Sequence, residues 1–159
     1  MKTKLLLLFV LLVLPFAYAQ ELPEDAGITP DSFVWGLDKA IENINLLLTF
    51  DKAKKAEKRL QIAQERLLEV KSMIEQNKLD KADKSKKSHE QTLEKVKQNL
   101  DELKKEDTEQ VKDVTTLESA LNKHESKIEE LSNEVDIKIE LNGELTEDQK
   151  SAVRNLVSS

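Results

Sequence analysis

Val34, Leu37, Ile41, Ile44 and Leu48 are spaced three, four, three and four residues apart, which sets them on one stripe of a helix. The step lengthens to five across Thr49-Phe50-Asp51. Ala53, Ala56, Leu60, Ala63, Leu67, Val70 and Ile74 then resume the alternation on a second helix. Two such stripes joined by a short link predict a helical hairpin with its apolar faces in contact, because neither stripe can bury itself alone.

A third run follows in Leu79, Ala82, Lys86, His89, Leu93, Val96, Leu100 and Leu103, with two polar residues in the seam. The spacing fails over 104–110, where Asp107 and Gln110 have the separation of a capping box. Val114, Leu117, Leu121, His124, Ile128, Leu131 and Val135 restore it. A turn at Glu106-Asp107 makes these runs two antiparallel helices. With no Gly or Pro at the junction, one continuous helix over 80–135 is the rival. The expected core seam is Val34, Leu37, Ile41, Ile44, Leu48, Leu60, Ala63, Leu67, Val70, Ile74, Leu93, Val96, Leu100, Leu117, Leu121 and Ile128.

From Asp136 the period falls to two. Ile137, Ile139 and Leu141 alternate with Lys138 and Glu140 ahead of Asn142-Gly143, which predicts a short strand and a tight turn. A lone strand leaves its backbone edges unpaired. Self-association through Ile137, Ile139 and Leu141, or an extended arm along the bundle, would satisfy them. Thr146 with Gln149 forms a second capping box and opens a last helix carrying Ala152, Val153, Leu156 and Val157.

Local signals mark the helix ends. Thr29 is placed as an N-cap before Pro30 and Asp31, and Asp51 caps the second helix. Asn77 suits the left-handed position that ends that helix. Gly36 would let a neighbouring backbone approach closely. Trp35 reads as core packing or as the cap of the hairpin, with ligand stacking as the alternative. Lys52, Lys54, Lys55, Lys58 and Arg59 oppose the dipole at the start of the second helix. They form either a solvated face or a site for an anionic partner.

Composition narrows the picture. The chain has 159 residues, of which 35% are charged and 4% aromatic, with three Gly and three Pro, and this suits helices far better than sheets. Residues 1–19 read as a signal peptide. Lys2 and Lys4 precede the apolar run 5–14, and Ala17-Tyr18-Ala19 predicts cleavage after Ala19. A retained anchor is the competing reading, but the apolar run is short for a bilayer and ends at Pro15. Residues 20–28, with Pro23 and Gly27, form a tether. No later segment is apolar enough to span a membrane after cleavage. The predicted organisation is leader 1–19, tether 20–28, helical bundle 29–135 and strand-turn-helix tail 136–159.

Charge and chemistry exclude much. The formal net charge is −6, and loss of Lys2 and Lys4 with the leader leaves 23 basic against 31 acidic residues, so a nucleic-acid partner is not expected. With no Cys and two His, the usual nucleophile and zinc arrangements are missing, and no Gly-rich phosphate loop is present. No enzyme activity and no cofactor are expected. His89 and His124 lie equally far from a turn at Glu106-Asp107, on seam positions, and are expected to face each other. Such a layer either fixes helix register, titrates near neutral pH, or holds a metal with help from Glu90 or Glu125.

Ser32-Phe33-Val34-Trp35-Gly36-Leu37, Ile41-Glu42, Leu48-Thr49-Phe50-Asp51, Lys55-Ala56-Glu57 and Ala63-Gln64-Glu65-Arg66-Leu67-Leu68-Glu69 carry a resemblance. The run 29–106 resembles a family of extracytoplasmic helical domains of unassigned function, found in secreted or membrane-tethered archaeal and bacterial proteins. Lys52 and Asp38 stand where the family often has Pro and a basic residue. The resemblance implies a helical envelope module and brings no catalytic residues.

The fold expected is all-α, an elongated antiparallel helical bundle of coiled-coil hairpins with a short strand plus helix at the C-terminus. The function expected is that of a non-enzymatic secreted or cell-envelope interaction or structural protein, with a protein or envelope component as partner. A holdase-like extracytoplasmic chaperone, which needs an open concave apolar patch, and a His-based cation or pH sensor are the alternatives.

Overall fold

A computed structural model describes residues 26–105, 111–141 and 146–157, without the side chains of 137–141 and 157. The predicted leader, residues 20–25 of the tether, the Glu106-Asp107 turn with its capping box, and Asn142-Gly143 lie outside the described residues. Within them the chain forms five helices: α1 (Trp35–Leu47), α2 (Lys52–Glu75), α3 (Leu79–Lys105), α4 (Val111–Leu141) and α5 (Glu147–Val157). The fold is all-helical, and no strand occurs among the described residues.

The segment expected to be a strand is the end of α4, a helix of 31 residues. Ile137, Ile139 and Leu141 therefore offer no strand edge for self-association. Extending an existing helix adds one hydrogen bond per residue fixed, whereas an isolated strand leaves its backbone groups unpaired, so a five-residue alternation does not override the helix. α5 then packs back on α4, with Arg154 Nε donating to Asp136 Oδ1 at 3.1 Å. Thr146 caps α5 reciprocally: its Oγ1 accepts from Gln149 N at 3.3 Å, and its own N–H donates to Gln149 Oε1 at 2.9 Å.

α2 and α3 form the principal antiparallel pair, joined by a turn in which Asn77 takes φ +55°. α4 lies across both. Ala53, Ala56 and Leu60 of α2, Val96, Leu100 and Leu103 of α3, and Leu117 and Leu121 of α4 make one apolar cluster at the end where α2 begins. At the other end Leu131 and Val135 of α4 meet Val153 of α5, with Leu67, Ile74 and Leu79 packed against them. Met73, Ala82 and Leu156 close that end. Ala63 and Val70 are also buried, while Leu67, Ile74, Leu93 and Ile128 are half-buried. Between the two clusters runs a buried polar band containing Arg66, Glu69, Ser85, His89 and His124.

α1 departs most from expectation. No residue of α1 is buried. Leu37, Ile41, Ile44 and Leu48, assigned above to the core seam, are 62%, 56%, 57% and 66% exposed, and Val34 is half-exposed. The hairpin does form, but with the opposite face of α1 inward. The apolar stripe of α2 is already covered by α3 and α4, so the side of α2 left for α1 carries Arg66, Glu65 and Lys58. α1 answers with its own polar side. Asp38 and Glu42 turn toward Arg66, and Lys58 Nζ donates to Asn45 Oδ1 at 2.7 Å and to Thr49 Oγ1 at 2.9 Å.

The start of α1 also shifts. Thr29 Oγ1 donates to Asp31 Oδ1 at 2.5 Å, Asp31 pairs with Lys78 Nζ at 2.6 Å, and Ser32 N donates to Thr29 O at 2.9 Å, so these residues close a turn ahead of the helix. Residues 30–34 form turns, and the helix begins at Trp35. Asp51 does cap α2, accepting from Lys54 N at 2.9 Å. Around Gly36 a Cβ would meet nothing within 4 Å, so the close backbone approach expected there does not occur.

Candidate functional site

Two features stand apart from ordinary packing: the buried polar band and the outward face of α1. The band is built where α2, α3 and α4 each place a polar residue in the seam. Arg66 is 1% exposed and bonds Glu69, one turn on, and Glu42 of α1, with Asp38 at 3.9 Å. Glu69 accepts as well from Ser85 Oγ of α3 and from Trp35 Nε1 of α1, the latter at 3.2 Å to each oxygen. One carboxylate thus ties three helices together. Trp35, half-buried, closes the α1–α2 hairpin with Lys39 Nζ 4.5 Å above its ring and Arg66 and Lys84 further out.

Carboxylates outnumber cations around this point, and their acidities reflect it. Burial pushes Glu69 and Glu42 above the usual range, opposed by Arg66 beside them. Glu65, half-buried next to Glu42, is pushed up to about 7 by burial and then by the Glu42 charge. The hydrogen bonds of this cluster join α1 to α2 and α3, and so dock α1 onto the bundle.

His89 and His124 occupy the same band. Their Nε2 atoms lie 2.8 Å apart and their ring centroids 5.1 Å apart, with the planes tilted by 51°. Both rings are buried, and both are pushed down to about 4, chiefly by burial, so the pair is neutral at pH 7. His124 Nδ1 is buried without a hydrogen-bond partner among the described residues. An unpaired lone pair costs less than an unpaired N–H, so the favoured tautomer has His124 Nε2–H donating to His89 Nε2. At a tetrahedral angle two zinc bonds of about 2.0 Å hold their nitrogens about 3.3 Å apart, further than the 2.8 Å of this hydrogen bond. Glu90 and Glu125 are exposed and paired to Lys86 and Lys97 at 3.6 and 3.0 Å. Among the described residues no group of three or more His, Cys, Asp or Glu could hold a metal.

A depression of about 290 Å³ lies between α3 and α5, lined by Leu79, Lys86, Asn155 and Leu156 among others. Its charges are already paired, Lys87 with Asp83 at 2.6 Å and Lys86 with Glu90. Of the basic cluster on α2, Lys58 holds the α1–α2 link and Arg59 bonds Asn99 of α3, so two of its five members serve packing. No described helix is long and apolar enough to cross a membrane.

The outward face of α1 is the feature that the heptad pattern did not foretell. Phe33, Leu37, Ile41, Ile44, Leu47 and Leu48 form a stripe open to water, and Phe50, 88% exposed, extends it. Its signal was present in the sequence only as a strong apolar seam; nothing in the spacing says on which side the rest of the chain lies. No curated protein and no solved structure matches the chain. Residues 27–156, from the turn before α1 to the end of α5, match the family described as Domain of unknown function (DUF5667), and the chain belongs to that family.

Proposed function

We propose that this DUF5667 chain is a non-enzymatic helical interaction protein, secreted or held in the cell envelope, that recruits a protein or envelope component through α1. The observation that carries the reading is the outward apolar stripe of α1. Leaving a large aliphatic side chain in water forgoes about 1.5–3 kcal/mol relative to burying it, so several in a row mark a surface built to be covered. The sequence of residues 1–19 supports export. The hydrogen bonds by which Glu69 joins Trp35, Arg66 and Ser85 support a structural role for the charged groups of the polar band.

The holdase reading draws on the same stripe, since a chaperone for unfolded clients needs open apolar surface. A ridge on one helix fits a partner helix better than a shapeless client, which wants a concave cradle. The two separate cleanly by experiment. Protein recovered from an exporting host is expected to begin at Gln20 and to leave the heat-induced aggregation of an unrelated client unchanged at equimolar ratio. Strong suppression of that aggregation would move the assignment to the chaperone, and retention in the cytoplasm would remove the envelope role.

A further inference from the structure

We infer that the partner of the α1 face is a second copy of this chain, the two α1 helices pairing as a two-helix seam. This rests on the reading of that face as an interaction surface and names its occupant. The stripe is self-complementary by composition. Of the charged residues of α1, Asp38 and Glu42 turn toward Arg66 of α2, and Lys39 lies over the ring of Trp35 on its own helix. The outward side keeps Leu37, Ile41, Ile44, Leu47 and Leu48, so two copies meet there without like charges opposing.

Spacing and area favour the same occupant. Val34, Leu37, Ile41, Ile44 and Leu48 repeat as a narrow a/d seam, the pattern that packs knobs into the holes of an equivalent helix. A helix lying on a lipid surface instead carries Lys and Arg along its flanks, whereas α1 has one Lys, and that Lys is stacked on Trp35. From the exposures of the stripe with Phe33 and Phe50, each copy presents roughly 1,000 Å², taking about 200 Å² per large side chain. Two such faces covered together bury an area in the range of a stable protein–protein interface, and each alone exceeds the largest apolar patch of a typical monomer.

Sedimentation velocity over a hundredfold range of protein concentration tests this on the chain recovered from an exporting host. The expected result is twice the chain mass, dissociating on dilution. Leu37→Asp with Ile44→Asp should give monomer throughout, with helical circular dichroism and melting temperature equal to those of dilute wild type, because both side chains already face water. Val111→Asp, at an exposed apolar residue outside the stripe, should remain dimeric. A wild-type monomer at every concentration overturns the second copy. If that monomer co-sediments with anionic phospholipid vesicles through the same two residues, the occupant is a lipid surface. A dimer indifferent to the double substitution places the interface elsewhere and equally overturns the inference. Neither result touches the broader interaction role, which falls only if the chain holds unfolded clients or stays in the cytoplasm.

Discussion

His89 and His124 face each other across the α3–α4 interface with their Nε2 atoms 2.8 Å apart, a buried hydrogen bond between two neutral imidazoles. Removing one ring strands the other as a buried polar group, at a cost of about 1–3 kcal/mol, whereas replacing both by Leu leaves nothing unpaired. His89→Leu and His124→Leu are each expected to lower stability by that amount, and the double variant to lie close to wild type. Urea unfolding at pH 7 on the four proteins gives the coupling.

The same pair sets an acid limit. Both rings titrate at about 4 in the fold against 6.5 when free, so between these values the unfolded chain binds more protons and stability rises with pH. Around them Lys86, Lys97 and Lys127 disfavour the charged form, and Glu125 partly offsets this. Melting temperature should climb from pH 4 to 6.5 more steeply in wild type than in the double Leu variant. Equal slopes in the two proteins would show that the pair does not titrate as described.

Glu65 acts in the opposite sense. Its carboxyl titrates at about 7 in the fold against 4.5 when free, so the folded chain binds the extra proton and stability falls as pH rises through that window. Glu65→Gln removes the burden of charging a half-buried carboxylate beside Glu42. The variant is expected to match wild type near pH 4.5 and to melt higher at pH 8. A comparison of the two melting curves at both pH values decides it.

Arg66 is a buried charge bonded to Glu69 and Glu42. Glu69→Ala leaves Arg66 short of its closest partner and frees Ser85 and Trp35 Nε1, for an expected loss of about 3–5 kcal/mol. Because Glu69 also anchors Trp35 of α1, the tryptophan fluorescence should shift to longer wavelength. Chemical denaturation and emission spectra check the two effects together.

The two stripes of the hairpin should respond differently to truncation. Leu60 is enclosed by α3 and α4, and Leu60→Ala is expected to cost about 2–5 kcal/mol. Leu37→Ala, on the open face, should change stability by less than about 0.5 kcal/mol at dilutions where the chain is monomeric. Urea midpoints of the two variants measure the contrast.

Several elements could be read from residue order because they depend on neighbours in the chain. The helix periods, the Asp51 and Thr146 caps, the Asn77 turn and the level placement of His89 and His124 all follow from contacts a few residues apart or from symmetry about one turn. Thr29 misled because the segment 29–31 is drawn into a turn by Asp31, which takes the Thr29 hydroxyl hydrogen and is itself held by Lys78, 47 residues away. The alternation at Ile137, Ile139 and Leu141 misled because helix propagation from α4 outweighs a short period-two pattern.

What the order of residues determined by itself was a set of amphipathic helices and their breaks, together with the lack of any cysteine. Which face of α1 meets the bundle was decided only in three dimensions. An apolar stripe states that a helix wants a partner and is silent on which one. α3 and α4 together fill the single apolar side of α2, so Arg66 and Glu69 draw the polar side of α1 inward, and the stripe of Leu37 and Ile44 is left for a surface outside the chain.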